Sequence, residues 1–247
     1  NWCGINDFFY LYDNIKQRTY VEDMAFPLLI EDIVNFGGVI PLAIYNASPD
    51  DDTGGIWTNK KIEKWDDLVG MKIRIYYAKS RAVQFVCYEL DKVVAVRCQS
   101  YQALKTNLID GILQTLQSGY GGNYYEIGKY YYAFEPLESS WAGILCSQKS
   151  FDALPKDVQE GLLRASKEHE DYIRHTVWVN PAEYAPGISG ALSAPAAKKF
   201  FEEQGNVILR IPLLSKKVNE QNLIGIQQWI KDEGGEKGQM LYDRILE

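Results

Sequence analysis

A chain of 247 residues with 46% hydrophobic side chains is long enough to bury a sizeable core, in one large domain or two modest ones. Its formal net charge of −7, with 26 basic against 33 acidic residues, argues against a surface that collects phosphate backbones, and no Lys/Arg run or zinc spacing offsets it, so nucleic acid is not expected as a partner. No stretch approaches the roughly 20 apolar residues that cross a bilayer, so no stable membrane insertion is expected, and the opening "NWCGINDFFYLYD" lacks the basic-then-apolar order of a leader.

In chain order, "VEDMAFPLLIEDIVNFGG" places Val21, Met24, Ala25, Leu28, Leu29 and Ile33 at helical spacing before a Gly37-Gly38 stop. "VIPLAIY" (39–45) then reads as a buried parallel strand, and "NASPDDDTGG" as a surface loop. "GMKIRIYY" (70–77) alternates apolar and polar residues as a strand does. Ser80 caps a predicted helix with a Val83, Val86, Cys87 and Leu90 stripe, and "KVVAV" (92–96) is the next strand. Ser100 is expected to cap "SYQALKTN", with Asn107 stopping that helix in a left-handed conformation. "LPKDVQEGLLRASKEHEDYIRHTVW" predicts one long helix, its apolar stripe running through Val158, Leu162, Ala165, Tyr172, Ile173 and Thr176. "AAKKFFEEQG" and "NVILRIP" repeat helix, stop and strand, and the residues after 215 finish the chain as helices. Strands alternating with helices imply an α/β fold with largely parallel sheets.

Enzyme signatures are mostly missing. His169 and His175 lie six residues apart on one helix, point to different faces and read as solvated surface groups. "GYGGN" (119–123) has neither the spacing nor the preceding strand of a phosphate cradle and reads as a turn. Cys3, Cys87, Cys98 and Cys146 form no CxxC; buried free thiols are expected, with a Cys87–Cys98 bridge as the alternative. No metal site and no cofactor are called for.

Arg74 stands apart. A guanidinium flanked by Ile73 and Ile75 must either snorkel to water or find an anion, because it cannot shed its proton. It lies near the carboxyl end of its strand, where ligands collect in α/β sheets. A bidentate clamp on a ligand carboxylate and an ion pair with one of the chain's own acids both satisfy these facts.

"KIEKWDDLVGMKIRI" (61–75), "SYQALKTNLIDG" (100–111), "YYEIGKYYYA" (124–133) and "SFDALPKDVQEGLLRASKE" (150–168) occur in an order and at separations that resemble the solute-binding subunit of TRAP transporters, tripartite ATP-independent periplasmic carriers of organic acids. The likeness runs from about Glu22 to the end. It implies a two-lobed α/β periplasmic binding protein with a hinge and a long helix crossing both lobes, no catalysis, and a small-molecule carboxylate delivered to TRAP membrane subunits. Lobe I would hold 1–53 and 137–178, lobe II 54–136 and 179–214, and the C-terminal helices 215–247 would pack across both. The family's opening strand, helix and strand has no counterpart ahead of Val21, so either the sequence is truncated at its amino end or those residues went unobserved.

By that resemblance Arg74, in "G-x-K-x-R", receives the ligand carboxylate and faces the cleft. Where C4-dicarboxylate and sialic acid binders carry a second arginine this sequence has Gly54, Gly55 and Ile56, and where a Glu-Trp pair helps hold a cation it has Leu113 and Gln114. The wording lies closest to the 2-oxoacid and monocarboxylate branch. The candidate ligand-binding residues are Arg74, Gln114, Trp141, Tyr76, Gln99 and Tyr101; Tyr77, Tyr120 and Trp57 are further aromatic candidates, and the "YYY" at 130–132 is expected to be packing. The alternatives are a small-molecule enzyme with Asp110 as base beside Arg74, and a ligand-sensing extracytoplasmic domain.

Overall fold

The computed structural model describes residues 15–46, 54–75, 91–94, 99–133, 141–178, 194–209, 220 and 223–246. Helix α1 (Ile15–Phe36) buries Val21, Ala25 and Phe26 at helical spacing and accommodates Pro27 within its length. It ends where Gly37 and Gly38 take φ +83° and +75°, with Gly37 N–H donating to the Val34 carbonyl at 3.0 Å. The chain continues through β1 (Val39–Asn46), β2 (Gly54–Thr58), β3 (Lys72–Ile75), β4 (Asp91–Val94), α2 (Ser100–Lys105), β5 (Gly111–Thr115), α3 (Leu116–Gly121), β6 (Tyr130–Ala133) and β7 (Trp141–Ser147). There follow α4 (Gln148–Asp152), α5 (Lys156–Trp178), α6 (Ala194–Glu203), β8 (Val207–Leu209), α7 (223–229), a wide π-type turn at Ile230–Gly234 and α8 (Gly235–Leu246).

Two sheets organise these elements. One is the antiparallel pair β1–β7, running from Val39↔Ser147 to Asn46↔Trp141, and the other has six strands in the order β4-β3-β5-β2-β6-β8. In the large sheet β3 runs parallel to β4 and β5, β6 runs parallel to β8, and β2 is antiparallel to both β5 and β6. Each sheet has its own core. Trp57, Ile112 and Tyr131 on one face of the large sheet pack with Ala103 and Leu104 of α2, Leu116 of α3, and Ala197 and Phe201 of α6. Val21 and Ala25 of α1 pack with Ile226, Trp229, Leu241 and Ile245 of the C-terminal helices, where Lys237 also reaches Asp32 at 2.6 Å.

The elements expected at α1, β3, β4, α5, α6 and β8 form; the helix expected after Ser80 and the ends of "GMKIRIYY" and "KVVAV" lie outside the described residues. Several local expectations are corrected. β1 is antiparallel, because its described neighbour is β7, a strand the sequence did not announce. Gly54 and Gly55 belong to a buried strand, not to a surface loop, so the large sheet is mixed. Residues 119–121 end helix α3, capped by the Thr115 hydroxyl accepting from Ser118 N–H at 3.1 Å, and only Gly122 and Asn123 turn. Gln99, not Ser100, holds the cap position of α2, and the Ser100 side chain is buried. Asn107 adopts the expected left-handed backbone at φ +57°. On α5 the expected stripe is rotated: Gln159, Ser166 and Ile173 are buried against the body while Val158, Leu162 and Tyr172 are exposed. His169 is half-buried, its Nε2 3.3 Å from the Tyr45 hydroxyl of β1. Cys146 is a free, half-buried thiol.

Candidate ligand site

Arg74 is the third residue of β3 and only 4% exposed. Its register partners are Val93 on β4 and Ile112 on β5, both parallel. Residues paired across strands share a face, so Arg74 lies on the side that carries Ile112, Trp57 and Tyr131. The carboxyl ends of β3, β4 and β5 form one rim, and the next position of that face on β5 is Gln114, two residues nearer the rim than Ile112. Taking the ordinary strand spacing and rise, the Arg74 and Gln114 backbones lie roughly 8 Å apart on the diagonal, close enough for both side chains to reach one small anion. Burying a guanidinium costs several kcal/mol unless negative charge or acceptors answer it.

The other candidates are placed as follows. Gln114 is half-buried, on a strand rather than a loop, and its carbonyl accepts from the Tyr131 hydroxyl at 3.3 Å. Gln99 is exposed at the start of α2, five residues beyond β4. Tyr101 donates its hydroxyl to Glu126 Oε2 at 2.6 Å, and that bond raises its phenol above the usual range. Trp141 is half-buried at the start of β7, edge-on to Phe26 at 5.3 Å and packed on the α1 core. Tyr76 and Tyr77 lie outside the described residues. Trp57 and Tyr131 are core residues of the large sheet, Tyr131 as the packing expected of the 130–132 run. Arg74 and Gln114 thus share a face, while Trp141 belongs to the other sheet.

Asp110 is not a poised base. It stands at the amino end of β5, opposite the Arg74 rim, where its Oδ2 accepts from Lys72 N–H at 2.8 Å and its Oδ1 lies 2.7 Å from Lys60 Nζ. Burial pushes its pKa up, but Lys60 and the Lys72 amide together outweigh burial and hold the carboxyl below its usual range. Asp110 therefore stays ionised and ties down a strand end.

Two groupings were missed by reading the sequence. Glu22 of α1, fully buried, uses one oxygen, Oε1, to accept from Asn46 Nδ2 at 2.6 Å and from Trp141 Nε1 at 3.3 Å, with Arg18 Nε 3.9 Å away. The i, i+4 spacing of Arg18 and Glu22 was the available signal. The second is Gly55, where an added Cβ would lie 2.5 Å from Tyr131 Cζ and 2.6 Å from both its hydroxyl and the Tyr132 carbonyl, so Tyr131 lies across the bare backbone. Only the glycine pair "GG" hinted at it.

Among the described residues no group of three or more His, Cys, Asp or Glu converges as metal ligands, and no described helix is long and apolar enough to cross a membrane.

Solved structures similar to this chain share its two-lobed α/β fold. An extracytoplasmic solute receptor of Bordetella pertussis that binds pyroglutamic acid superposes with a TM-score of 0.78 at 21% identity, over 98% of this chain and 73% of that one. A TRAP periplasmic solute-binding protein of Roseobacter denitrificans with bound β-D-glucuronate gives 0.77 at 18% identity, over 98% and 73%. The sugar acid binding protein of Advenella mimigardefordensis in complex with galactonate gives 0.78 at 20%, again over 98% and 73%. No curated protein matches the sequence. The family model "Bacterial extracellular solute-binding protein, family 7" (DctP) matches residues 4–188. That match spans most of the sequence, and the chain therefore belongs to the DctP family of TRAP-type extracellular solute-binding proteins, a binding protein and not an enzyme.

Proposed function

We propose that this protein captures a small monocarboxylic organic acid in the periplasm and delivers it to TRAP membrane subunits, with Arg74 gripping the carboxylate and Gln114 contacting the body of the ligand. The observation that carries the reading is a buried guanidinium at the rim where three parallel strands end, sharing its face with Gln114. A planar fork in a site drier than water offers two charge-assisted hydrogen bonds, each stronger than a neutral one. Gly54, Gly55 and Ile56 add no second cation on β2, which matches a ligand with one carboxylate. Pyroglutamate, glucuronate and galactonate, held by the similar proteins, each carry one. The lobe division, with 1–53 and 137–178 in one lobe and 54–136 and 179–214 in the other, belongs to the same reading and is supported by the separate β1–β7 and six-stranded sheets; 215–247 would lie across both.

Calorimetry with a panel of 2-oxo, 2-hydroxy, lactam and sugar acids tests it. Arg74→Ala should weaken the best acid by about 100-fold, roughly 3 kcal/mol, while circular dichroism shows the fold retained. Arg74→Lys should recover only part, since an ammonium lacks the fork. Unchanged affinity in Arg74→Ala overturns the assignment.

A further inference from the structure

Two connections of the chain between the small and the large sheet run through one spot on α1. β1 ends at Asn46 and the next described strand, β2, lies in the large sheet; β6 of the large sheet ends at Ala133, and β7 re-enters the small one at Trp141. Asn46 and Trp141 are the last pair of the small sheet, so the two connections stand side by side. One stripe of α1, its residues a turn apart, meets both. Asn46 Nδ2 and Trp141 Nε1 donate to the same oxygen, Glu22 Oε1, at 2.6 and 3.3 Å, Phe26 sets its ring edge-on to Trp141 at 5.3 Å, and Arg18 Nε lies 3.9 Å from that oxygen. Glu22 and Asn46 are both fully buried, so the bond between them is closed to bulk solvent.

We propose that the Glu22 carboxylate is the pivot on which the two lobes turn, and that by pinning both connections it tunes the affinity for the acid without touching it. This rests on the lobe division and on the acid-capture reading given above. An acceptor oxygen is a point. Donors approach it over a broad range of directions, so each can tilt about Oε1 and stay bonded where an apolar contact would part. α1 is a firm mount, because Gln17 donates to the Ile245 carbonyl at 2.6 Å and Lys237 reaches Asp32 at 2.6 Å, tying it to α8. With both connections held at one oxygen the lobes keep a single turning motion; with either released they gain twist, and fewer ligand-free molecules are poised to close over an anion. Apparent affinity falls in proportion to that fraction.

The test uses the full chain, with lactate, pyroglutamate, galactonate and glucuronate titrated calorimetrically and the tightest-binding acid carried forward. Trp141→Phe keeps a ring against Phe26 and removes one donor; Asn46→Ala removes the other. Each should weaken that acid by about 5-fold, the low end of couplings between separate sites. Each should also raise the ligand-free radius of gyration in small-angle X-ray scattering while the acid-bound value stays that of wild type. Phe151→Leu, at a buried residue of α4 away from both connections, is the stability control: it should lower the melting temperature and leave affinity and scattering unchanged. Wild-type affinity or a wild-type ligand-free profile in both variants overturns the pivot, as does an equal loss in Phe151→Leu. A loss in Trp141→Phe alone makes Trp141 a ligand contact and likewise overturns it. Should Asn46→Ala not fold, Asn46→Leu, which fills the same space without a donor, takes its place. If Arg74→Ala abolishes binding while both pivot variants bind as wild type does, only the pivot falls. If Arg74→Ala binds as wild type does, or no acid binds the wild type, the carboxylate-site reading falls and ligand-free scattering decides the pivot: a wild-type profile in both variants overturns it, and a larger radius in both supports it.

Discussion

Glu22 gathers three nitrogens around one carboxylate oxygen on a fully buried side chain, and its consequence is asymmetric. Deleting one member of a buried charged set leaves the other charge without its counterpart, which costs more than the set itself contributes. Glu22→Ala should therefore destabilise the protein by about 3 kcal/mol in denaturant unfolding, whereas Glu22→Gln, which keeps an acceptor for Asn46 and Trp141, should cost less. Asp110 makes a milder and pH-dependent case. Its folded-state pKa lies below the unfolded one, so its stabilisation is fully present above the ordinary carboxylate range near pH 4 and is lost as pH falls through the folded value. Asp110→Asn should cost about 1 kcal/mol at pH 7, discounted for the exposure of Lys60, and the two unfolding curves should converge in acid. Arg74 was legible because an ionised group between isoleucines contradicts its surroundings. The seat of Tyr131 was not, since an aromatic in an apolar run contradicts nothing and its packing depends on a glycine 76 positions away.

Helix α5 shows how far periodicity carries. Length, start and end were readable from Pro155, the acidic first turn and the continuous helix formers. The buried face was not, because the helix buries Gln159 and Ser166 next to Ile173 while leaving apolar side chains outward, and only contact with β1 decides between two adjacent faces. Ile173→Ala should cost about 2–4 kcal/mol, and Leu163→Gln, at a residue 46% exposed, should stay within about 0.5 kcal/mol; paired thermal melts distinguish them. The strands follow the same logic. β3 and β4 were visible as strands, yet nothing local told that β2 would insert antiparallel between β5 and β6, since strand direction depends on the path of distant segments. β7, "WAGILCS", paired edge to edge with β1, alternates between half-buried and exposed positions from Ala142 onward.

Across the whole molecule, the two-lobed α/β class emerged from the order of elements and from four weak sequence stretches in register, while the mixed sheet and the two separate cores emerged only from the structure. Those cores are built differently. The large sheet packs its own helices α2, α3 and α6, whereas the β1–β7 side leans on α1, which in turn is held by the last helices of the chain through Lys237–Asp32 and through Gln17 donating to the Ile245 carbonyl at 2.6 Å. The final ladder pair of the small sheet is Asn46 with Trp141, one residue leaving that sheet and the other entering it. The chain thus leaves the small sheet and re-enters it side by side, and both residues hang from the same Glu22 oxygen. Under the lobe division proposed above, these are two of the chain's crossings between lobes, and a swing about them would leave every rung of both ladders intact.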